Sequence, residues 1–523
     1  MNKKTKKPPF WRRWFWGGDV GRSGYVGARK GRRTSDWITS GASGNAELST
    51  GMVTLRERSR DVRRNNPHGA AALNTLANYV SGLKPQSAIT PRREADGSIT
   101  DAARREADRL NATIDELWRE WSRVCLVDGG TFSTAQTQAT LGMFESGETF
   151  TRVRPRRLSD GLPVPVQIEL LEADYCDHTI NRTTDTGGVI VQGVEFDALG
   201  RRSAYHMLRR HPGEALIGMP PGVSPLDTVT LPARSIAHLF NKPFVRPGQA
   251  RGVPHLHAIL QALRDFEGLQ DAERLRAKVA ASFMGVVRSS ESFNYPDENG
   301  DPTGINPVRD SNGDIMERFR AGTWVYAEDG QEIEFNRPPE FAGYKDHAWT
   351  DLHAMAAGVG MPYELMTNDL SQTNYSSIMF GMGSFWRLAE RIQAEALEPL
   401  WCRRVWRWFV EFGQAAGILP DEAGPVRWVS KPFPQVDPVK QNRGKLLAVR
   451  AGAMTLSDWI RETGQDPEHV LAEHRRLQQW AIEHGVVLDG LPNVSSLAGQ
   501  VQQSALDALI AANVDADEGE DIG

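Results

Sequence analysis

Residues 255–409 alternate between helical patterns and polar connections, and this order constrains the fold more than any other feature of the chain. Apolar residues recur every three or four positions, as helices require, in three segments: 255–285, 341–359 and 378–409. A polar stretch over 288–339 separates the first two, and a loop predicted over 361–377 separates the last two. The sequence therefore predicts a helix that leaves the body of the protein, a small excursion, a return helix, a polar loop and a second long helix.

This layout describes a helical stalk with a knob at its far end. At about 1.5 Å per residue, a helix over 255–285 would be some 45 Å long. A lone helical hairpin of that length exposes more apolar surface than a soluble protein tolerates. Copies of the stalk packed side by side in a symmetric ring would cover that surface. The pattern therefore favours an oligomer.

The chain before the stalk mixes helical and strand-like patterns. Folded structure is expected to start near Met52. Helical periodicity follows over 55–66, 69–80, 101–128 and 133–146. Alternation typical of strands follows over 148–154, 166–171, 189–196, 204–208 and 235–240. The predicted fold class is α+β and mainly helical.

Charge is distributed unevenly between the two ends of the chain. Residues 1–66 carry sixteen Lys and Arg against five Asp and Glu, whereas residues 485–523 carry seven acidic residues and no basic ones. We interpret residues 1–50 as a basic flexible arm and residues 485–523 as an acidic flexible tail, two ends that would meet different partners. The alternative is that both ends are solvated segments that keep the protein soluble.

Composition excludes several classes of protein. The three cysteines, Cys125, Cys176 and Cys402, are widely separated, which argues against a disulfide framework and a zinc site. An apolar run of about 18 residues is missing, so no stable membrane insertion is expected. Residues 3–16 are basic and then aromatic, without the apolar core of a signal peptide. They are interpreted as a mobile arm, with binding to a membrane surface as the alternative.

Motifs for catalysis are not found in the sequence. It lacks the GxxxxGK[ST] phosphate loop and the GxSxG nucleophile elbow, so we expect a protein that is not an enzyme and uses no cofactor. The pair His255 and His257 would need further ligands to bind a metal, and we interpret it as structural. Five tryptophans are expected to be packing residues at subunit or domain contacts: Trp118, Trp121, Trp401, Trp406 and Trp408.

Six segments in this order resemble the lambda-type portal proteins of tailed bacteriophages, over about residues 50–480. They are Arg63–Pro67 with its Ala-rich helix, Leu170–Asp174, Gly193–Asp197, Arg246–Pro254, Ala356–Leu365 and Asn374–Ser377. Each is weak alone, but the six in order, with the predicted stalk and knob between them, make a specific signal.

The resemblance implies the portal fold, with its wing, stem, clip and crown domains around a central channel. The wing would be residues 51–252, the stem 253–287 with 340–360, and the clip 288–339. The tunnel loop would be 361–377, and the long helix with the crown 378–484.

The resemblance also implies a function and partners. The protein would form a homo-oligomer, a ring of twelve subunits, at one vertex of the virion capsid. The ring would pass double-stranded DNA during packaging and ejection, without sequence specificity. It would bind the terminase large subunit and later the head–tail connector proteins, and contact the major capsid and scaffold proteins during assembly in the host cytoplasm. The alternatives are an enzymatic component of the packaging machinery and a membrane-associated oligomer.

Two sets of candidate site residues follow. The DNA-facing tunnel loop would present Thr367, Asn368, Asp369, Ser371, Gln372, Thr373, Asn374 and Tyr375. This set contains no Lys or Arg, so it can touch phosphates without binding them tightly; the alternative is an ordinary connection between helices. Partner docking at the clip would use Arg309, Asp310, Asp314, Glu317, Arg318 and Arg320, or else the clip is a solvated insertion. The arginines at 56, 58, 60, 63 and 64 either meet DNA or acidic partners or form a solvated helix face.

Overall fold

The structure is a computed structural model. It describes residues 32, 39–94, 96–216, 227–281, 285–289, 331–335, 343–373, 375–430, 438–465 and 467–485. Over these ranges the fold is α+β and mainly helical, as predicted. Most of the predicted basic arm and clip, and the acidic tail beyond Gly485, lie outside the described residues.

Helix α1, Gly44–Asn65, starts earlier than the expected first folded residue near Met52. The Ser43 side chain accepts a hydrogen bond from the backbone N–H of Ala46 and caps the helix. Asn45 donates to the carbonyl of Gly248 at 3.0 Å and accepts from the N–H of Ala250 at 2.8 Å. Residues 44–50, which the sequence analysis placed in the arm, are therefore helical and contact the segment before α5, while the division of the chain at residue 50 stays a prediction.

Three further helices are α2 (Pro67–Val80), α3 (Asp101–Trp121) and α4 (Phe132–Ser146). Asn66 separates α1 from α2, and its side chain accepts from the N–H groups of His68 and Gly69. Helix α3 is shorter than the predicted 101–128. After Trp121 the chain pairs with a strand instead, since the N–H of Ile168 donates to the carbonyl of Cys125 at 2.8 Å.

The strands of this region are β1 (Lys84–Ser87), β2 (Glu148–Pro155), β3 (Val166–Leu171), β4 (Arg182–Thr183), β5 (Val189–Val191), β6 (Val194–Phe196), β7 (Arg202–Leu208), β8 (Thr228–Pro232) and β9 (Ile236–Phe240). Strands β3, β2 and β9 form an antiparallel sheet in that order, and β4 to β8 form a second antiparallel sheet in chain order. The predicted strand over 189–196 is two strands, because Gln192 and Gly193 both have positive φ and make a tight hairpin turn.

The main core lies where the helices meet the three-stranded sheet, and the predicted packing tryptophans are all buried there. Trp118 packs its ring against the rings of Trp121, Phe132, Trp406, Phe409 and Trp428. The buried indole of Trp401 donates to the hydroxyl of Thr151 in β2 at 2.8 Å. These contacts tie residues 401–409 to the sheet, so the long helix is part of the core.

The predicted stalk contains helices α5 (Leu260–Ala281) and α6 (Tyr344–Val359), with strands β10 (Gly285–Ser289) and β11 (Gln331–Phe335) between them. Helix α5 starts after a 3₁₀ turn, His255–Ala258, and is about 33 Å long, shorter than predicted. Strands β10 and β11 pair antiparallel with Ser289 opposite Gln331. The chain therefore leaves for residues 290–330 and returns at one place, as an excursion between two stem helices requires.

The two stalk helices are buried at one end and exposed at the other. In α5, Leu263 and Phe266 are buried, but no residue from 267 to 278 is. In α6, burial begins at Leu352 and continues to Val359. The apolar side chains of Leu275 and Trp349 stand exposed on the outer parts of these helices, at 61% and 49%.

The rest of the chain forms a long helical run and a final group of helices. Helix α7 (Tyr363–Thr367) precedes the run, which comprises α8 (Tyr375–Ile392), a π-helical stretch (Gln393–Cys402) and α9 (Arg403–Ala415). Pro399 lies in the π-helical stretch and has no N–H for a regular helix. Strand β12 (Val426–Val429) pairs with β1, and α10 (Pro438–Arg450), α11 (Leu456–Glu462) and α12 (Pro467–His484) follow. In the described part of the chain, no helix is long and apolar enough to span a membrane.

Candidate functional site

The predicted tunnel loop, residues 361–377, contains a short helix and the start of a long one. Helix α6 ends at Gly360, whose φ of 82° is left-handed, and α7 follows almost at once. Asn368 ends α7 with φ 57° and donates its N–H to the carbonyl of Glu364 at 2.8 Å. Helix α8 then starts at Tyr375. The described part of the irregular connection is therefore residues 368–373, which we call the α7–α8 loop.

The predicted loop residues lie in three settings. Thr367 is the last residue of α7 and Tyr375 the first of α8, so neither belongs to the irregular part. Asn368, Ser371 and Gln372 are exposed, and Asp369 and Thr373 are partly exposed. Asn374 lies outside the described residues. Five of the eight predicted residues thus come together in one short polar loop.

Asp369 organises this loop. Its carboxylate accepts from the N–H of Ser371 at 3.0 Å and from the hydroxyl of Tyr363 at 3.1 Å. These hydrogen bonds, Ser371 first, hold the pKa of Asp369 below its usual range. The carboxylate is therefore charged at neutral pH, and the described loop residues carry one negative and no positive charge.

An aromatic stack, which sequence reasoning missed, supports the loop from α6. The rings of Trp349 and His353 lie 3.9 Å apart, and the rings of His353 and Tyr363 stack at 4.1 Å with an angle of 12°. Tyr363 then bonds Asp369, so the stack joins the stem helix to the loop. The spacing of Trp349 and His353, one helical turn apart, was a signal for a shared face.

The base of the loop is anchored in the core. Met366 of α7 is 1% exposed and packs among α2 residues and the stem. His68 of α2 meets the ring of Phe266 in α5 at 5.7 Å. His255, at the start of the stem, makes a 2.9 Å hydrogen bond to the carbonyl of Val359 at the end of α6. The predicted structural role of His255 agrees with this contact.

A buried charge cluster joins α1, β2 and β9 to the segment that precedes α5, and we call it the stem-root cluster: Arg56, Glu148, His238 and Arg251. Glu148 in β2 accepts from Arg251 Nε at 2.7 Å and from the N–H of Gly252 at 3.1 Å. Arg56 of α1 lies 3.3 Å from the same carboxylate, and His238 of β9 lies 2.9 Å away. The cluster therefore joins α1, β2, β9 and the chain that enters α5.

Arg251 also holds two further segments through three of their carbonyls. Its guanidinium donates to Ala173 at 3.0 Å, Cys176 at 3.3 Å and Gln192 at 2.6 Å, and its side chain is fully buried. Burial alone would raise the pKa of Glu148, but the charge of Arg251 and the hydrogen bond from His238 hold it well below its usual range. Glu148 is therefore an anion at the centre of the cluster.

The arginine run of α1 fits neither of its predicted roles at three positions. Arg56 is 2% exposed, Arg60 bonds Asp174 at 2.5 Å, and Arg63 bonds Glu145 at 3.1 Å. Only Arg58 and Arg64 of the run are exposed. The run is mainly an internal set of ion pairs, because α1 lies against the end of α4, the start of β2 and the segment that follows β3.

Among the described residues, Glu172, Asp174 and His211 bring their ligand atoms within 4.8 Å of one another. The guanidinium of Arg60 donates to both carboxylates, at 2.8 Å to Glu172 and 2.5 Å to Asp174. Burial opposes ionisation, yet Arg56 and Arg60 lower the pKa of Asp174 to about 2. The carboxylates of Glu172 and Asp174 therefore already form ion pairs with a cation of the protein, the guanidinium of Arg60.

His238 gives the cluster a predicted pH dependence. Burial lowers its pKa to about 4, although its hydrogen bond to Glu148 acts in the opposite direction. Between pH 6.5 and 4 the unfolded chain binds a proton that the folded chain does not, so the free energy of unfolding should fall as the pH falls. We expect a loss on the order of 2–3 kcal/mol over this window.

Substituting His238→Gln, which keeps an N–H donor but does not titrate, should remove most of that loss. Urea unfolding at pH 7 and pH 5 measures it, with the exposed His474→Gln as the control. An identical pH slope for wild type and His238→Gln would show that the imidazole is not held neutral.

The predicted clip residues are not among those that can be placed. Arg309, Asp310, Asp314, Glu317, Arg318 and Arg320 all lie outside the described residues, as does the strand-like piece at 323–327.

Comparisons with known proteins give relatives over most of the chain. A probable portal protein of Halomonas phage phiHAP-1 is 25% identical over 464 residues, which cover 85% of this chain and 84% of the relative. A chain in the neck of an empty GTA particle covers 80% of this chain and 94% of its own, at 15% identity and a TM-score of 0.43. A HK97 family phage portal protein from Corynebacterium diphtheriae covers 72% and 94%, at 10% identity and a TM-score of 0.27.

A family model gives the assignment. The model described as "Phage portal protein, lambda family" matches residues 30–393. That range contains α1, the stem-root cluster, α5, α6 and the α7–α8 loop. This chain therefore belongs to the lambda family of phage portal proteins.

Proposed function

We propose that this portal protein works as a ring of about twelve subunits, whose stem helices surround a channel for double-stranded DNA. The observation that carries the proposal is the stalk: α5 and α6 are rooted in the core at one end and uncovered at the other. A neighbouring stalk in a closed ring would cover the exposed side chains of Leu275 and Trp349.

The dimensions of helices agree with such a channel. Twelve inner helices spaced about 10 Å apart make a circle of roughly 38 Å diameter through their axes. Subtracting one helix diameter of about 10 Å leaves some 28 Å, which admits a DNA duplex. In this arrangement the α7–α8 loop faces the DNA, and its single carboxylate repels phosphate mildly while its amides and hydroxyls make brief contacts.

The proposal includes no catalysis by this chain. The ring sits at one vertex of the capsid, forms in the host cytoplasm, and contacts the major capsid and scaffold proteins during assembly. The terminase large subunit, and later the head–tail connector proteins, bind its clip. Deleting residues 295–315 should abolish terminase-dependent packaging and leave the ring intact. Packaging at the normal level in this variant would contradict the proposal that terminase binds the clip.

The stalk interface is tested by a single charge. Leu275→Asp should shift the assembly from ring to monomer, because a carboxylate would be buried between neighbouring stalks. Mass photometry at fixed concentration measures the distribution, and circular dichroism checks that the subunit remains folded. The matched control is Leu199→Asp, a residue 76% exposed in the turn between β6 and β7.

Equal assembly by the two variants would contradict the stalk interface. Ring loss in both would point to a general effect of added charge and would also count against it.

A further inference from the structure

Helix α10 presents a row of apolar and basic side chains that no other part of the described chain covers. The row is Val439, Arg443, Leu446, Leu447 and Arg450, whose spacing places them on one face of a helix. Val439 is 77% exposed, Leu446 39% and Leu447 58%, and both arginines are exposed. We call this row the α10 face.

The opposite side of α10 faces the helix that follows it in the chain. Lys445 forms an ion pair with Glu462 of α11 at 2.7 Å, and Ala448 and Val449 on the same side are partly buried. Helix α11 in turn packs on α12. The α10 face therefore points away from its own helical group, and an occupant would have to come from elsewhere.

The charge of α10 specifies that occupant. The helix contains Lys440, Arg443, Lys445 and Arg450 and no acidic residue. Lys445 has its partner in Glu462, whereas no ion pair is recorded for Arg443 or Arg450 within the described residues. A segment that combines acidic and apolar residues would complement this face, and a basic or purely polar one would not.

We propose that residues 486–523 of the same chain, the acidic segment, dock on the α10 face. This segment has seven acidic residues and no basic ones. Leu506, Leu509, Ile510 and Val514 recur at spacings of three and four, and they match the apolar part of the face. The acids that follow at once match its arginines: Asp515, Asp517, Glu518, Glu520 and Asp521.

The chain is long enough for this contact. The acidic segment follows α12, and the residues between His484 and Leu506 can span roughly 70 Å when extended. Helix α10 is only about 20 Å long and α12 about 27 Å. A tether of this kind also gives an effective concentration in the millimolar range, so a weak contact suffices.

Hydrogen exchange of the full chain tests the proposal. The α10 amides should exchange about tenfold faster in a chain shortened to end at Gly485 than in the full chain. Adding a synthetic peptide of residues 500–523 to the shortened chain should restore the protection, and raising the salt concentration should weaken the restoration because opposite charges are screened.

Charge-reversal substitutions test the same contact without shortening the chain. Arg443→Glu with Arg450→Glu should speed α10 exchange in the full chain as much as truncation does. Combining these two with Lys at positions 515, 517, 518, 520 and 521 should restore protection. The matched control is Arg105→Glu with Arg109→Glu on the exposed side of α3, which should leave α10 unchanged.

Three results would overturn the proposal. Equal α10 exchange in the full and shortened chains excludes the acidic segment as the occupant. If the α10 amides lose their protection on dilution, whether or not residues 486–523 are present, the occupant of the α10 face is a second copy of the chain. Protection that appears only when duplex DNA is added identifies the basic face as a DNA contact.

Discussion

Replacing Arg251 with alanine is expected to lower the free energy of unfolding by about 3–5 kcal/mol. The substitution removes the main partner of Glu148 and leaves a fully buried carboxylate with reduced compensation. It also leaves the carbonyls of Ala173, Cys176 and Gln192 without their donor. Urea unfolding at pH 7, followed by tryptophan fluorescence, measures the change.

Arg246→Ala is the matched control, because Arg246 lies in the same segment and also pairs with a glutamate. Its ion pair with Glu47 is exposed, so its loss should cost less than about 1 kcal/mol. Similar small losses at both positions would mean that the stem-root cluster does not hold the segment before α5 to α1 and β2.

Replacing Asn368 and Asp369 with lysine is expected to stall DNA packaging, with the DNA packaged per head reduced on the order of tenfold. The change adds three units of positive charge per subunit, one at Asn368 and two at Asp369, to a loop with no Lys or Arg. Repeated around a ring, these charges would bind the phosphate backbone and resist its movement. The DNA content of purified heads measures the effect.

Two checks separate charge from structure in this variant. Asn368→Gly with Asp369→Asn suits the left-handed φ at Asn368, adds no positive charge and should package at close to the normal rate. In a purified packaging system, higher salt should partly relieve the stall, since screening weakens phosphate binding. A packaging stall in the control variant, or a stall that higher salt does not relieve, would contradict the assignment of the α7–α8 loop to the wall of the channel.

Periodicity predicted most elements from α1 to α6. The patterns at 69–80, 133–146, 166–171 and 235–240 became α2, α4, β3 and β9 with bounds close to those expected. In α2 and α4 the buried residues lie on one face, which is the property that periodicity detects, whereas β9 is buried at all five positions. The polar connection was predicted over 361–377 from its composition, and in the structure it is shorter because Tyr363–Thr367 forms α7.

The stem-root cluster could not be predicted in the same way. Arginine is seldom fully buried, so the run on α1 predicted an exposed face or a partner surface. Arg56 is buried against the carboxylate of Glu148, which lies 92 residues later in the chain. Arg251, which pairs with the same carboxylate, lies still further along the chain. Such pairings depend on tertiary contacts that helical or strand periodicity does not encode. The early start of α1 was missed for a related reason, because Asn45 is held by residues near Gly248.

End-on electron micrographs of the purified full-length protein test the central claim most directly. Averaged images should show a closed ring of equal subunits around an open centre wide enough for duplex DNA. Compact solitary molecules at the same concentration, with α5 and α6 covered by their own chain, would contradict the account.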